Sequence, residues 1–271
     1  SFPDVSRYIQ NKSKLKIDLD IKNITACPKY SGVCIEEVCV KPSPRWLKNR
    51  LISIGLTPIN NVVDITNFVL HETGNPLHAF DYDKIVGSKI IVRTAKPKEK
   101  FKTLDSNLIN LNSKDLVISD SEKAICLAGV IGGEDSGVCN STKNIFLESA
   151  FFNSQSIRKT SKNHSIITES SYRFERGVDF NNCLYALKRA TLLIQNICGG
   201  KIGQESKCYP TELSNKEIDF SFDSCNKILG NKIAKKTILD ILISLDFEIL
   251  NSDKDKCKLC VPTYRVDVYR E

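Results

Sequence analysis

The stretch Ala124-Ile-Cys-Leu-Ala-Gly-Val-Ile131 is apolar throughout and runs into Gly132-Gly133. It reads as a buried strand that ends in a turn. Asn144-Ile-Phe-Leu-Glu-Ser-Ala150 reads as a second strand. Residues 181–198 then give the clearest helix of the chain. Leu184, Leu187, Thr191, Ile194 and Cys198 share one face there, and Gly199-Gly200 ends it. Strands and a long amphipathic helix thus stand in one chain.

Upstream, Val33 to Val40 is strand-like. Ser43-Pro44-Arg45-Trp46-Leu47 opens a helix, with Ser43 as cap and Pro44 in the first turn, where no N–H is needed. Leu47, Leu51 and Ile54 fall on its apolar face, and Gly55 stops it. Lys89 to Arg93 is strand-like, and residues 101–119 read as a hairpin or a pair of short strands around Asp105-Ser106-Asn107. Residues 1–20 are polar and lysine-rich and show no clear period, so they read as a linker or the tail of another domain. Downstream, Tyr209-Pro210-Thr211 marks a break. Beyond it Ile238, Ile241, Leu242 and Leu245 form a helix stripe, followed by short strands near 247–250 and 256–261.

At 271 residues the chain is long enough for about two domains, and its 41% hydrophobic and 26% charged residues are an ordinary globular balance. The longest uncharged apolar run, Ala124 to Gly133, is well short of the ~20 residues of a membrane-spanning helix. No charged-then-apolar segment marks secretion. Methionine is absent and the chain opens Ser1-Phe2-Pro3, which reads as a piece of a longer protein. The net charge is +7, and it is unevenly spread. Residues 212–271 hold 10 Lys+Arg and 11 Asp+Glu, net −1, so the larger part carries +8. That positive part suits a polyanion or a solvated surface.

Eleven cysteines without a compact framework read as reduced, mostly buried thiols of a cytosolic protein. Cys257-Lys258-Leu259-Cys260 is the one CxxC, with no second pair to complete a zinc site. Cys257, Leu259 and Val261 alternate as one face of a strand does. Three histidines, at 71, 78 and 164, form no metal cluster by spacing, so no metal site is expected.

Several segments carry candidate chemistry. In Asn60-Asn61-Val-Val-Asp64-Ile-Thr-Asn67-Phe68, the first two residues make a turn and Asp64 suits a cap, whereas Asn67 falls inside the expected helix and points to solvent or into a site. Gly74-Asn75-Pro76-Leu77-His78-Ala79-Phe80-Asp81 sets His78 among turn formers and apolar residues. Gly129, Gly132 and Gly133 make a tight turn or a backbone that a ligand approaches closely. No Gly-Lys-Ser/Thr follows, so this is no phosphate loop. Glu148, in a run of apolar residues, faces solvent or is buried; if buried it needs a hydrogen-bond donor, and a ligand hydroxyl is one. The segments 156–164 and 168–179 interleave basic residues with Tyr172 and Phe174, as a nucleic-acid contact or a surface ion network does.

These segments occur in an order that resembles a known family. Lys41-Pro-Ser-Pro-Arg-Trp-Leu47, Pro58-Ile-Asn-Asn-Val-Val-Asp-Ile-Thr-Asn67, Pro76-Leu-His-Ala-Phe-Asp81, Leu127-Ala-Gly-Val-Ile-Gly-Gly133, Leu147-Glu-Ser-Ala150, Tyr172-Arg-Phe-Glu-Arg-Gly-Val-Asp179 and Val261-Pro-Thr-Tyr-Arg-Val-Asp267 follow one another. The series is similar to the β subunit of bacterial phenylalanyl-tRNA synthetase, from about residue 20 to the end. The resemblance implies a mixed α/β or α+β fold in three parts: a linker or tail at 1–20, a B3/B4 tRNA-editing domain at 21–204, and a winged-helix-like B5 domain at 205–271 that the chain leaves inside or just past its end.

The resemblance further implies editing: hydrolysis of tyrosine wrongly attached to tRNA(Phe), with a positioned water. A site built for an apolar ring rejects an added hydroxyl weakly, so a second pocket that requires the hydroxyl separates the two far better. Glu148 matches the family residue that reads the phenol. Ala128 and Gly129 match ring-pocket positions, and Gly132 matches the glycine that keeps the pocket open. Thr168, Ser170 and Pro76 match substrate-binding wall positions, with Ser170 standing where many relatives carry alanine. His78 and Asn67 match the catalytic positions that orient the water or the terminal ribose. By the same resemblance the fragment needs no cofactor, while the whole synthetase uses ATP and Mg, pairs with an α subunit (α2β2), binds tRNA(Phe) and is cytoplasmic. The competing reading is a non-catalytic tRNA-positioning or assembly module with a degenerate pocket. A nucleic-acid contact through B5 is disfavoured by the net −1 of that segment.

Overall fold

A computed structural model describes residues 2–10 and 12–270, which divide into two compact units at Glu212/Leu213. The first unit contains β1 (Asp18–Ile21), β2 (Lys29–Glu36), α1 (Arg45–Ser53), α2 (Asn61–Thr73), β3 (His78–Asp81) and β4 (Lys89–Thr94). It continues with β5 (Lys100–Lys102), β6 (Leu108–Asn110), β7 (Leu116–Ser119), β8 (Ala124–Leu127), β9 (Ile131–Gly132) and β10 (Ile145–Phe151). It closes with α3 (Ser154–His164), α4 (Glu169–Phe174), α5 (Cys183–Cys198) and β11 (Lys201–Cys208). The second unit holds β12 (Glu217–Ser221), α6 (Phe222–Leu229), α7 (Lys235–Ser244), β13 (Glu248–Ser252) and β14 (Lys256–Cys260). The class is mixed α/β, as the family resemblance implies.

Two sheets build the first unit. One has the order β1-β4-β7-β8-β9, and the other, β11-β2-β10-β3, is antiparallel throughout. Period-2 alternation sorts the second sheet into two faces. Ile145 and Leu147 of β10, Val33 and Ile35 of β2 and Ala79 of β3 pack against Leu47, Val62, Ile65, Leu187 and Ile194 of the helices. On the other face Phe146, Ala150, Tyr30, Cys34 and Phe80 share a core with Ile90, Val92, Ile118 and Leu127 of the first sheet. The second sheet is therefore covered on both sides, which is why β10 is buried along nearly its whole length.

The structure moves several expected boundaries. Residues 1–20 do hold a period: Leu15, Ile17, Leu19 and Ile21 pack on the core between the sheets, and β1 joins the first sheet parallel to β4. The lysines that make the segment look like a linker occupy the alternate positions. The expected division at 204/205 falls inside β11, whose ladder with β2 extends to Cys208. Ser43 does not cap α1; its hydroxyl donates to Asp64 at 2.5 Å, and Pro44 is itself the N-cap. Ile54 is half exposed rather than part of the buried face. Asp64 accepts from the Ile59 N–H at 2.8 Å, while Asn60 is the cap of α2, taking the Val62 and Val63 N–H groups at 3.1 and 3.0 Å.

The hairpin β5–β6 turns at residues 103–107, and α5 ends at Gly199 and Gly200, both at positive φ. In the second unit β12, β14 and β13 form an antiparallel sheet, with Cys257, Leu259 and Val261 buried on one face beside Ile238 and Phe247. Leu242 packs on this core, but Ile241 and Leu245 are exposed. Among the described residues no helix is long and apolar enough to cross a membrane.

Candidate functional site

The ladder between β3 and β10 sets His78 directly opposite Glu148. Opposed residues of an antiparallel pair project to one face, here the face turned toward the first sheet. A small cleft opens at this point. His78 and Glu148 line it together with Pro76, Gly129, Gly132 and Ser170. Phe152 and Phe174, edge to face at 5.1 Å between centroids, and Cys126 complete the apolar wall.

Glu148 is buried, and its carboxyl accepts from the Tyr30 hydroxyl at Oε2, 3.0 Å away. Burial without a counter-charge pushes its carboxyl up to about 8, against the smaller lowering effect of Tyr30. The protonated acid therefore dominates at neutral pH. The same environment holds the Tyr30 hydroxyl and the Cys126 thiol well above their ordinary values, so both stay neutral. His78 retains some residue exposure, yet its Nε2 is buried and pairs with no protein group. Burial lowers its imidazole to about 4, leaving a neutral ring packed edge-on against Phe80 at 4.4 Å. A neutral imidazole keeps one ring nitrogen able to accept a proton or a hydrogen bond.

Two glycines shape this space. A Cβ at Gly132 would lie 2.7 Å from His78 Cε1 and 3.0 Å from its Nε2, so any side chain there displaces the histidine. Gly129 sits at φ +66°, and a Cβ would meet Ile157, Phe152 and Phe174 at 3.0–3.1 Å. The turn needs glycine both for its left-handed backbone and for the close approach of the rings. Pro76 is held by its neighbour Asn75, which donates to the Pro76 carbonyl at 3.2 Å and to Ser149 Oγ at 3.0 Å.

Three sequence-derived site residues stand elsewhere. Asn67 lies on α2 and is not among the residues lining the cleft. Ala128 is buried, with its N–H engaged by the Leu116 carbonyl at 3.0 Å, so its neighbour Gly129 presents the wall instead. Thr168 acts one step removed: it caps α4 and donates to the Val130 carbonyl at 2.7 Å, tying the helix that carries Ser170 to the glycine turn.

Tyr30 and Cys126 are the contributors that sequence reading missed. Tyr30 shares its period-2 face with Gly32 and Cys34, but only the pairing of β2 with β10 brings it to Glu148. The basic and aromatic run of α4 forms an ion network. Arg173 pairs with Glu169 at 2.6 Å and meets His71 Nδ1 at 3.2 Å, while Arg176 pairs with Glu175 and covers the exposed Tyr172 ring at 3.5 Å. His164 bonds the buried Asp115 at 2.6 Å, away from the cleft. Among the described residues no group of three or more His, Cys, Asp or Glu side chains is placed to hold a metal ion.

The B3/4 domain family model matches residues 26–199, and the tRNA synthetase B5 domain model matches residues 218–271. The chain is 42% identical over 273 residues to a phenylalanine–tRNA ligase β subunit of Bacteroides thetaiotaomicron, covering 99% of this chain and 33% of that protein. It is 44% identical over 257 residues to the β subunit of Porphyromonas gingivalis, covering 94% and 31%. The chain thus spans about a third of the length of these curated relatives. An N-terminal fragment of the phenylalanyl-tRNA synthetase β subunit from Pyrococcus horikoshii aligns with a TM-score of 0.48 and 17% identity, over 97% of this chain and 73% of that one.

Proposed function

The chain belongs to the B3/4 domain family, and on that premise we propose that it is the editing portion of a phenylalanine–tRNA ligase β subunit, hydrolysing tyrosine wrongly esterified to tRNA(Phe). The observation that carries this reading is the cross-strand pair His78 and Glu148, two uncharged groups that line one cleft, the carboxyl and the imidazole Nε2 both buried. Glu148 recognises the phenol at the inner end. Phenylalanine would leave Glu148 Oε1 without a partner, a penalty of roughly 1–3 kcal/mol for a buried polar group.

His78 lies on the same wall and orients water through Nε2. The water oxygen attacks the ester carbonyl, the bond to the ribose oxygen breaks, and that oxygen leaves with a proton, releasing tyrosine and intact tRNA. Gly132 leaves the space that the ester and water need beside His78. The step uses no cofactor in this chain. ATP and Mg serve aminoacylation in the α subunit, with which the β subunit assembles as α2β2 in the cytoplasm.

The test is deacylation of Tyr-tRNA(Phe) and Phe-tRNA(Phe) by the assembled ligase. Selective loss of tyrosine is expected. Glu148→Ala weakens the selectivity, and His78→Ala slows hydrolysis. No loss of either ester would make this a tRNA-positioning or assembly module instead.

A further inference from the structure

We propose that Tyr30 is a positioning residue that determines specificity, by fixing which oxygen of Glu148 meets the substrate. The inference rests on the editing reading and adds to it a residue that does not line the cleft. Tyr30 is fully buried at the start of β2, and its hydroxyl donates to Glu148 Oε2 at 3.0 Å. Strand pairing enforces this contact. Glu148 is opposite Gly32, and Tyr30 is opposite Ala150, so Tyr30 lies diagonally across from Glu148 on the same face. Diagonal neighbours are within reach of an aromatic side chain. Gly32 places no side chain between them, and the Phe146 ring fills the space above it, 2.2 Å from where a Cβ would be.

The carboxyl is therefore held by Tyr30, with Oε2 occupied. Among the described residues Oε1 receives no hydrogen bond, and Glu148 lines the cleft, so Oε1 is the atom presented to an entering hydroxyl. In the protonated acid, a donor fixed on Oε2 leaves the acid proton on Oε1, aimed at the phenol oxygen. Without Tyr30 the two oxygens become equivalent, and the group can turn its proton inward. Discrimination then suffers although no atom touching the substrate has changed.

The experiment compares wild type, Tyr30→Phe, Glu148→Ala and the double variant in the full-length β subunit assembled with its α subunit. Two readouts are taken: binding of non-hydrolysable tyrosyl and phenylalanyl amides of 3′-amino-3′-deoxyadenosine, and hydrolysis of the two aminoacyl-tRNAs. Tyr30→Phe is expected to lower the tyrosyl preference about tenfold while leaving phenylalanyl binding within twofold. In the Glu148→Ala background it has no further effect, because Tyr30 acts through Glu148. A merely structural role would lower both ligands equally and would add to Glu148→Ala; that outcome, or an unchanged preference in Tyr30→Phe, overturns the proposal. Wild type that prefers the tyrosyl amide but leaves both esters intact defeats the hydrolytic reading and keeps the role of Tyr30. Wild type without any tyrosyl preference defeats both.

Discussion

Glu148 and His78, one opposed pair of the β3–β10 ladder, are displaced in opposite directions by the same burial: the carboxyl rises to about 8 and the imidazole falls to about 4. Had they formed an ion pair, the carboxyl would have fallen and the imidazole risen. Both are instead uncharged at neutral pH, and the surrounding Tyr30, Cys27 and Cys126 stay neutral as well. The cleft offers hydrogen bonds without fixed charge, which suits a phenolic ring better than an anion.

These shifts make stability depend on pH in a defined way. Glu148, raised above its ordinary value, contributes stability fully below about 4.5 and loses it as pH climbs through about 8. His78, lowered, contributes above about 6.5 and loses it as pH falls toward about 4. Between about 4.5 and 6.5 the two slopes oppose each other. From about 6.5 to 8 the His78 contribution is constant, and the Glu148 contribution falls by about 1.4 kcal/mol per pH unit. Urea unfolding of wild type and Glu148→Gln across that interval reads the difference between the two. An identical slope in both proteins would mean that Glu148 does not hold its proton.

Gly132→Ala separates the site from the fold. Its Cβ collides with His78 but meets no backbone atom among its nearest contacts, and the glycine is not at positive φ. Hydrolysis of both esters is expected to fall at least tenfold, with a melting temperature close to wild type. Gly129→Ala, at φ +66° against three packed side chains, should instead lower stability by about 1–3 kcal/mol. Matching losses of stability in the two variants would remove the distinction.

The α1–α2 connection depends on two side chains of unequal weight. Asn60→Ala removes a cap and is expected to cost about 1 kcal/mol. Asp64→Ala leaves both Ser43 Oγ and the Ile59 N–H without their acceptor and is expected to cost about 2–3 kcal/mol. Denaturant midpoints rank the pair; a milder effect for Asp64→Ala would contradict the assignment of Asn60 as the simple cap.

Cys139 is the thiol expected to react first with iodoacetamide. It is exposed, and hydrogen bonding with the Ser141 and Thr142 hydroxyls lowers it to about 7, with Lys84 Nζ 3.9 Å from its sulfur. Its labelling rate should be half-maximal near pH 7, as followed by peptide mass spectrometry. Cys39 is also exposed, so faster labelling there would refute the claim.

Local pattern alone specified α5 and its glycine stop, the β5–β6 hairpin, and the buried face of Cys257, Leu259 and Val261. Each is written in residues a few positions apart. Sequence also narrowed Glu148 to two fates, solvent or deliberate burial, and the pairing of β10 between β2 and β3 chose the second. Tertiary structure decided the rest: that residues 18–21 enter a sheet, and that Tyr30 rather than a nearer residue holds Glu148. Periodicity says which side chains share a face, because that follows from backbone geometry. It does not say what the face meets. Tyr30 and Glu148 are 118 residues apart, and only the long-range strand register makes them neighbours.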